Sequence, residues 1–136
     1  MQEVMAIIRQ NRINQTKKAL AEAGFAAMTA AKAQGRGRRS VEFQFLEAVN
    51  EHPDISPDIL PTLSQGGRLI PKRLVDVVVP DSRVQEVVQI IIDASQTGEP
   101  GDGKIFVLPV SEALRVRTGE RNEAAIDEMQ VAKEVL

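Results

Sequence analysis

A strand–helix–strand pattern that occurs twice, on either side of a long insertion, is the feature that most constrains the fold of this 136-residue chain. In the first unit, the apolar run at 3–9 predicts a buried strand. Asn14 is placed to cap a helix that stops at Gly24, and residues 25–34 predict a returning strand. The first unit therefore has the order β-α-β.

The second unit repeats this order after the insertion. Alternating valines at 74–79 predict a strand, and Asp81 is placed to cap a helix over 82–97 that Gly98 terminates. Residues 104–110 predict the final strand. Two β-α-β units joined end to end predict an α+β fold, the ferredoxin-like split β-α-β sandwich, with both helices on one face of the sheet. We expect neighbouring subunits to cover the other face.

The length and charge restrict the function. The chain is expected to form one domain, 1–136, and its net charge of −2 gives no general attraction to nucleic acid or to a membrane surface. It contains no cysteine, which excludes disulfides and thiolate chemistry. Its single histidine, His52, lies in a proline-rich acidic stretch and is expected to be a solvated loop residue. With no signal peptide and no membrane span, we expect a cytoplasmic protein.

Glycine-rich and basic clusters indicate a polyphosphate site. Glycines at 101 and 103 allow backbone N–H groups to approach phosphate oxygens, and Lys104 adds a point charge. Arg115 and Arg117 lie two residues apart in a segment predicted to be extended, so they project from the same face. The cluster at 35–39, which contains two glycines and three arginines, is placed to close the same site.

One segment matches the spacing of a P-loop only formally. Residues 98–104 fit its glycine and lysine spacing, but Ile105 stands where the magnesium-binding Ser or Thr belongs. The order of elements is also inverted, because a P-loop follows a strand and opens a helix. A P-loop NTPase is therefore disfavoured.

The insertion, 40–67, is longer than an ordinary connection, and loops of this length are mostly functional or disordered. It carries five acidic residues and no lysine or arginine, whereas both of its ends are basic. Residues 41–50 fit either a short helix or an extension of the preceding strand. The apolar residues make a partner surface the favoured interpretation, with these expected anchors: Phe43, Phe45, Ile55, Ile59 and Leu60.

Several motifs together resemble the PII (GlnB-type) nitrogen-regulatory signal proteins. The resemblance covers nearly the whole chain outside the insertion, and the last two of its motifs are highly specific. The motifs are Ala6-Ile7-Ile8-Arg9, Leu20-Ala21-Glu22-Ala23-Gly24, Met28-Thr29, Gly35-x-Gly37-Arg38, Val77-Val78-Val79-Pro80-Asp81, Thr97-Gly98-x-x-Gly101-Asp102-Gly103-Lys104-Ile105-Phe106-Val107 and Arg115-x-Arg117-Thr118-Gly119-Glu120.

The resemblance implies a trimer with three clefts between subunits, each binding ATP or ADP. It also implies 2-oxoglutarate bound through the Mg of ATP, with no direct protein ligand to the metal. The insertion corresponds to the family's T-loop, which spans 40–70 in this chain. The nucleotide-binding residues that it implies in one subunit are Gly35, Gly37, Arg38, Gly101, Asp102, Gly103 and Lys104. Those implied from the next subunit are Met28, Thr29, Arg115 and Arg117. The residues implied for 2-oxoglutarate are Lys72 and Gly101, and Arg39 is a second candidate cation for this ligand.

Two departures from the family pattern affect its chemistry. Arg39 occupies the position of the usual glutamine that helps to ligate magnesium, and the chain contains no tyrosine to be uridylylated. Loop length and the residues around Gly24 and Gly37 are similar to the nitrogen-fixation branch, the NifI proteins, and within it to the second of two paired paralogues. This branch implies a nitrogenase component as the partner and a trimer that is homomeric or shared with a paralogue.

Two other classes of function remain open. One is a PII protein that acts on another target, such as glutamine synthetase or an ammonium transporter. The other is an enzyme on a ferredoxin-like scaffold, for which Asp102 is the obvious candidate base. A loop aspartate beside glycines is more typical of a turn, so we expect no enzyme.

Overall fold

The computed structural model of the chain describes residues 1–37 and 69–129. Short 3-10 turns lead into both helices, and a kinked 3-10 segment spans Asn122–Met129. The regular elements are β1 (Gln2–Arg9), α1 (Ile13–Glu22), β2 (Thr29–Gly35), β3 (Ile70–Val79), α2 (Val84–Ser95) and β4 (Gly103–Pro109). The predicted site residues that lie outside the described residues are Arg38, Arg39, Phe43, Phe45, Ile55, Ile59 and Leu60.

The four strands form one antiparallel sheet in the order β2-β3-β1-β4. The two strands that begin the β-α-β units, β1 and β3, are therefore central, and the two returning strands lie at the edges. This interleaving of two units defines the ferredoxin-like fold. The α+β prediction is confirmed.

The core lies between one face of the sheet and the two helices. Alternate residues of β1 and β3 are buried there, because successive strand residues point to opposite faces. The helices contribute Leu20, Val87 and Ile91, each no more than 1% exposed. The valines predicted to share a face of the second unit are all in this core: Val75, Val77 and Val79.

The first unit begins and ends differently from the prediction. Asn14 does not cap α1, because a 3-10 turn carries the chain from β1 into the helix and the cap position is Arg12, without a side-chain bond. Gly24 does stop the helix, with a φ of 96°. The Phe25 N–H donates to the Leu20 carbonyl at 2.8 Å, the bond of a Schellman motif, so Phe25 belongs to the helix end and β2 starts only at Thr29.

In the second unit, the predictions of Asp81 as the N-cap and of Gly98 as the end of the helix were wrong. Asp81 starts a 3-10 turn and makes no capping bond. The helix ends at Ser95 and not at Gly98, because Gln96 is already extended. β3 starts four residues earlier than predicted, at Ile70, since pairing with β2 continues to Gly35. β4 is shifted by one residue, to Gly103–Pro109.

The face of the sheet opposite the helices has no covering layer among the described residues. Paired residues share a face, so Met5 and Phe106 lie together there. Phe106 is 44% exposed and Leu108 is 38% exposed. This apolar face is where the sequence predicted that neighbouring subunits pack.

Candidate functional site

The loop between α2 and β4 is organised by one carboxylate. Asp102 accepts bonds from the backbone N–H groups of Thr97 and Gly98, both at 2.9 Å, and from the Thr97 hydroxyl at 2.5 Å. It also accepts a bond from Arg9 Nε at 2.9 Å, across 93 residues of sequence. These bonds fold the glycine-rich segment over the end of β1.

Asp102 is a poor candidate for a catalytic base. Desolvation opposes its ionisation, but the hydrogen bonds from Thr97, Arg9 and the Gly98 N–H outweigh it and hold its pKa well below the usual range. A carboxylate with such a low pKa accepts a proton weakly at neutral pH. The expectation that this residue shapes a turn agrees with its contacts.

Two cations approach the backbone of Gly101. Lys72 Nζ donates to the Gly101 carbonyl at 2.5 Å, and Arg9 donates to the Pro100 carbonyl at 2.7 Å. A Cβ on Gly101 would lie 3.4 Å from the Arg9 guanidinium and 3.6 Å from Lys72 Nζ. The missing side chain therefore leaves room at a point where two positive charges converge.

Lys72 is held in this position by the sheet. It pairs across the sheet with Arg9 on one side and with Ala33 on the other, and it is only 8% exposed. Desolvation, followed by repulsion from Arg9, lowers the pKa of Lys72, while Asp102 opposes the shift. An added anion would relieve this repulsion, which is the property that a carboxylate or phosphate site requires.

Gly103 starts β4 and is required by its backbone. Its φ is 110°, and a Cβ there would lie 1.7 Å from the Ile7 carbonyl oxygen. The next residue, Lys104, pairs with Ile7 and is exposed. In the described part of the chain Lys104 forms no ion pair, so its ammonium group is available to a ligand.

The segment that carries the two arginines is a tight turn and not an extended strand, which corrects the prediction. The backbone N–H of Arg115 donates to the Glu120 carbonyl at 2.8 Å, and the backbone carbonyl of Arg115 accepts a bond from the Gly119 N–H at 2.7 Å. Gly119 has a φ of 75°, which reverses the chain, and Leu114 bridges to Arg121. Arg115 and Arg117 thus lie on one turn in different surroundings.

Arg115 is surrounded by carboxylates of its own chain. Its guanidinium contacts Glu120 at 3.1 Å, Asp127 at 2.6 Å and Glu128 at 2.9 Å. Arg117 is exposed and has no ion pair within residues 1–37 and 69–129. As the chain is folded here, only Arg117 of the two offers its charge to a ligand.

The remaining predicted residues of the nucleotide site lie at the two ends of β2. Met28 packs against the core just before the strand, and Thr29 is its first residue. Gly35 ends the strand and Gly37 follows it, and a Cβ added at either glycine would meet no atom within 4 Å. Gly35 pairs with Ile70, at the same end of the sheet as Lys72 and the glycine loop, whereas Thr29 pairs with Asp76 toward the other end. This arrangement agrees with the expectation that the two glycines act with the loop in one subunit and that Met28 and Thr29 act from the next.

Sequence reasoning gave no role to Arg9, although it belongs to one of the quoted motifs. Its two bonds to the loop could not be read from local spacing, because the partners lie more than 90 residues away. The available signal was a basic residue at the last position of a buried strand. At that position a side chain is placed over the end of the sheet, beside the loop that starts β4.

The fold and the glycine loop define a ferredoxin-like α+β protein in which two cations lie beside the loop, and comparisons with known proteins extend this result. Residues 1–120 match the family described as "Nitrogen regulatory protein P-II". The "Nitrogen fixation nifHD region GlnB-like protein 2" of Methanothermococcus thermolithotrophicus is 48% identical over 128 residues, 93% of this chain and 98% of that protein. The protein of the same description from Methanobacterium ivanovii is 42% identical over 127 residues, 93% and 99% of the two chains.

A solved structure, Arabidopsis thaliana PII bound to citrate, superposes with a TM-score of 0.67 and 35% identity, over 91% of this chain and 90% of that one. The chain therefore belongs to the PII family of nitrogen regulatory proteins. The predicted family is confirmed, and the relatives that carry nifHD names agree with the predicted nitrogen-fixation branch. Among the described residues, no helix has the length and apolar character to cross a membrane.

Proposed function

We propose that this PII protein senses nitrogen status by binding ATP or ADP in clefts between the subunits of a trimer. The convergence of Lys72 and Arg9 on the Cβ-free Gly101 is the observation that carries the proposal. It supplies positive charge and open backbone at the loop that the family resemblance assigns to phosphate. Exposed Lys104 adds a further cation, and the uncovered apolar face of the sheet supports the trimer.

The same geometry supports 2-oxoglutarate as the second ligand. A dicarboxylate beside ATP adds negative charge, so it requires Mg held by the two ligands and a nearby cation. Lys72 is that cation, and its desolvated ammonium gains most from a new anionic partner. The family resemblance implies that the Mg would be held mainly by ATP and 2-oxoglutarate.

The proposed target is the nitrogenase component that holds the catalytic cofactor, with the T-loop as the contact surface. The nifHD descriptions of the relatives and the acidic, apolar composition of the insertion support this target. Ligands in the cleft redistribute the loop between conformations, and a difference in partner affinity between them makes the switch. Release of nitrogenase follows binding of 2-oxoglutarate with Mg-ATP. We place this function in the cytoplasm and in a single domain, 1–136.

A deletion of residues 41–66 tests this function. The deleted protein, with or without its paralogue, should no longer inhibit nitrogenase and should bind ATP almost normally, because Gly101, Lys104 and Arg117 lie outside the deletion. Inhibition and complex formation are measured by activity assay and size-exclusion chromatography. An inhibitory complex between nitrogenase and the deletion variant would overturn the role of the loop. A complex of the full-length protein with glutamine synthetase, and not with nitrogenase, would favour the alternative target.

A further inference from the structure

A second basic groove lies on the helix side of the sheet, away from the glycine loop. It is a cavity of about 390 Å³ beside the edge strand β2 and the start of α1. Three cations line it: Lys17 from α1, Lys32 from β2 and Arg73 from β3. No acidic residue of the described chain lines it, although the whole chain has more acidic than basic residues.

Without a bound anion, the three cations are in an energetically unfavourable arrangement. Lys32 and Arg73 are direct cross-strand partners on the same face, an arrangement of like charges that destabilises a sheet. Neither these two side chains nor Lys17 forms an ion pair with the described residues. Arg73 Nε is moreover buried without a hydrogen-bond partner, which costs free energy unless a ligand supplies one.

The surroundings add positive potential and hydrogen-bond donors. The cavity includes Ile13 and Asn14, the first residues of α1, and the first turn of that helix contains no acidic residue. The positive end of the helix dipole therefore acts on the same space. An adjoining cavity of about 430 Å³ shares Lys32 and Arg73 and extends to Lys72.

We propose that this groove binds a small polyvalent oxyanion, which carries at least two phosphate or carboxylate groups. One such anion would screen the repulsion between Lys32 and Arg73 and accept the bond that Arg73 Nε lacks. The volume exceeds that of a single phosphate group and suits a compact ligand with two or three anionic groups. None of the described residues proposed to bind the nucleotide lines this groove, although the adjoining cavity reaches Lys72 of the proposed 2-oxoglutarate site.

Calorimetry at low ionic strength, with inorganic pyrophosphate and with citrate as probes, tests the site. Both titrations use the full chain carrying Lys104→Ala, which weakens the proposed nucleotide site. We expect binding of at least one probe, weakened about five- to tenfold by Lys32→Gln and by Lys17→Gln. A stronger response to pyrophosphate identifies phosphate as the preferred group, and a stronger response to citrate identifies carboxylate.

Lys18→Gln is the matched control, because Lys18 lies on the same helix, is 78% exposed and pairs with Glu22. It should bind the probes like the parent protein. Equal losses for Lys18→Gln and Lys32→Gln, or no binding of either probe, would overturn the site. If ATP fails to bind the wild type while the losses at Lys17 and Lys32 remain, the proposed nucleotide function fails and this site stands.

Discussion

At the residue scale, two members of the glycine motif have observed roles in shaping the backbone. Gly103 belongs to the motif that identifies the family, yet its described role is steric, since β1 leaves no space for a Cβ. Asp102 likewise serves the shape of the loop through four hydrogen bonds. The proposed ligand contacts of this motif would thus depend on residues whose observed role is to hold the backbone.

Gly103→Ala should lower the free energy of unfolding by about 3 kcal/mol or more, because it combines a positive φ with a backbone clash. Gly35→Ala is the control, as its site is open and its φ is not positive, and it should change stability by less than about 1 kcal/mol. Urea unfolding followed by circular dichroism measures both. Equal stability of the two variants would refute the steric role.

Lys104→Ala and Arg117→Ala should each weaken ATP binding by about 1.5–3 kcal/mol, the scale of a charge-assisted hydrogen bond. Both side chains are exposed in the chain, so their removal should leave the fold and the oligomeric state unchanged. Isothermal titration with ATP gives the affinities, with Arg121→Ala as a control for loss of a positive charge. Unchanged affinity in both variants would remove these residues from the site.

At the scale of elements, sequence patterns predicted the central strands and the helices well, because buried residues alternate along β1 and β3 and recur on one face of each helix. The ends were predicted less well, since Asn14 and Asp81 are good capping residues at positions where a 3-10 turn already leads into the helix. The buried Arg83, which lies 4.0 Å from the Phe25 ring centroid, gave no local signal either. Such contacts depend on tertiary packing between distant segments.

The kinked segment Asn122–Met129 supplies carboxylate partners to Arg115, and it would therefore compete with the proposed nucleotide for this side chain. It is anchored by the buried Ile126 and Met129, and it places two carboxylates on the guanidinium that the family resemblance assigns to phosphate. The Arg115 guanidinium also lowers the pKa of Asp127, so this carboxylate stays charged and competes throughout the neutral range. In the proposed nucleotide function, ATP would have to displace these carboxylates before Arg115 could bind it.

Asp127→Asn combined with Glu128→Gln should therefore increase ATP affinity about two- to tenfold, the sum expected for two partly exposed ion pairs. Glu112→Gln combined with Asp93→Asn removes the same charge elsewhere and serves as the control. Calorimetry with ATP compares the two double variants. A decrease in affinity, or the same increase in the control, would exclude competition at Arg115.

The strands β1 and β3 bring two carboxyl groups together on the uncovered face. Desolvation, with the hydrogen bond and charge of Glu3, raises the pKa of Asp76 to about 6. Because the folded chain holds this proton more tightly than the unfolded chain, the stabilisation is complete below about pH 4 and is lost as the pH rises through about 6.

Asp76→Asn should remove this pH dependence and stabilise the protein at pH 8 by on the order of 1 kcal/mol, after allowance for partial exposure. Thermal unfolding between pH 4 and pH 8 measures the difference. Asp93→Asn, an exposed change on α2, should leave the pH profile unaltered. If the wild type and Asp76→Asn both became more stable by the same amount between pH 4 and pH 6, the raised pKa of Asp76 would be contradicted.

At the scale of the whole molecule, the single chain offers only parts of the proposed nucleotide site. The glycine loop with Lys72 lies at one end of the sheet, while Thr29 and the turn with Arg117 belong to other regions. In the proposed trimer, neighbouring subunits would bring them together. The members of the site therefore stay predictions from the family resemblance, and their assembly would depend on contacts that one chain does not contain.

Titration of 2-oxoglutarate into the wild-type protein tests the central claim most directly. We predict binding in the presence of Mg-ATP, none with ADP or without nucleotide, and a loss of about tenfold or more for Lys72→Ala. The Mg-dependent synergy arises because the dicarboxylate needs both the metal held by ATP and the desolvated Lys72. Equal binding of 2-oxoglutarate to the nucleotide-free protein, or normal binding by Lys72→Ala, would contradict the account.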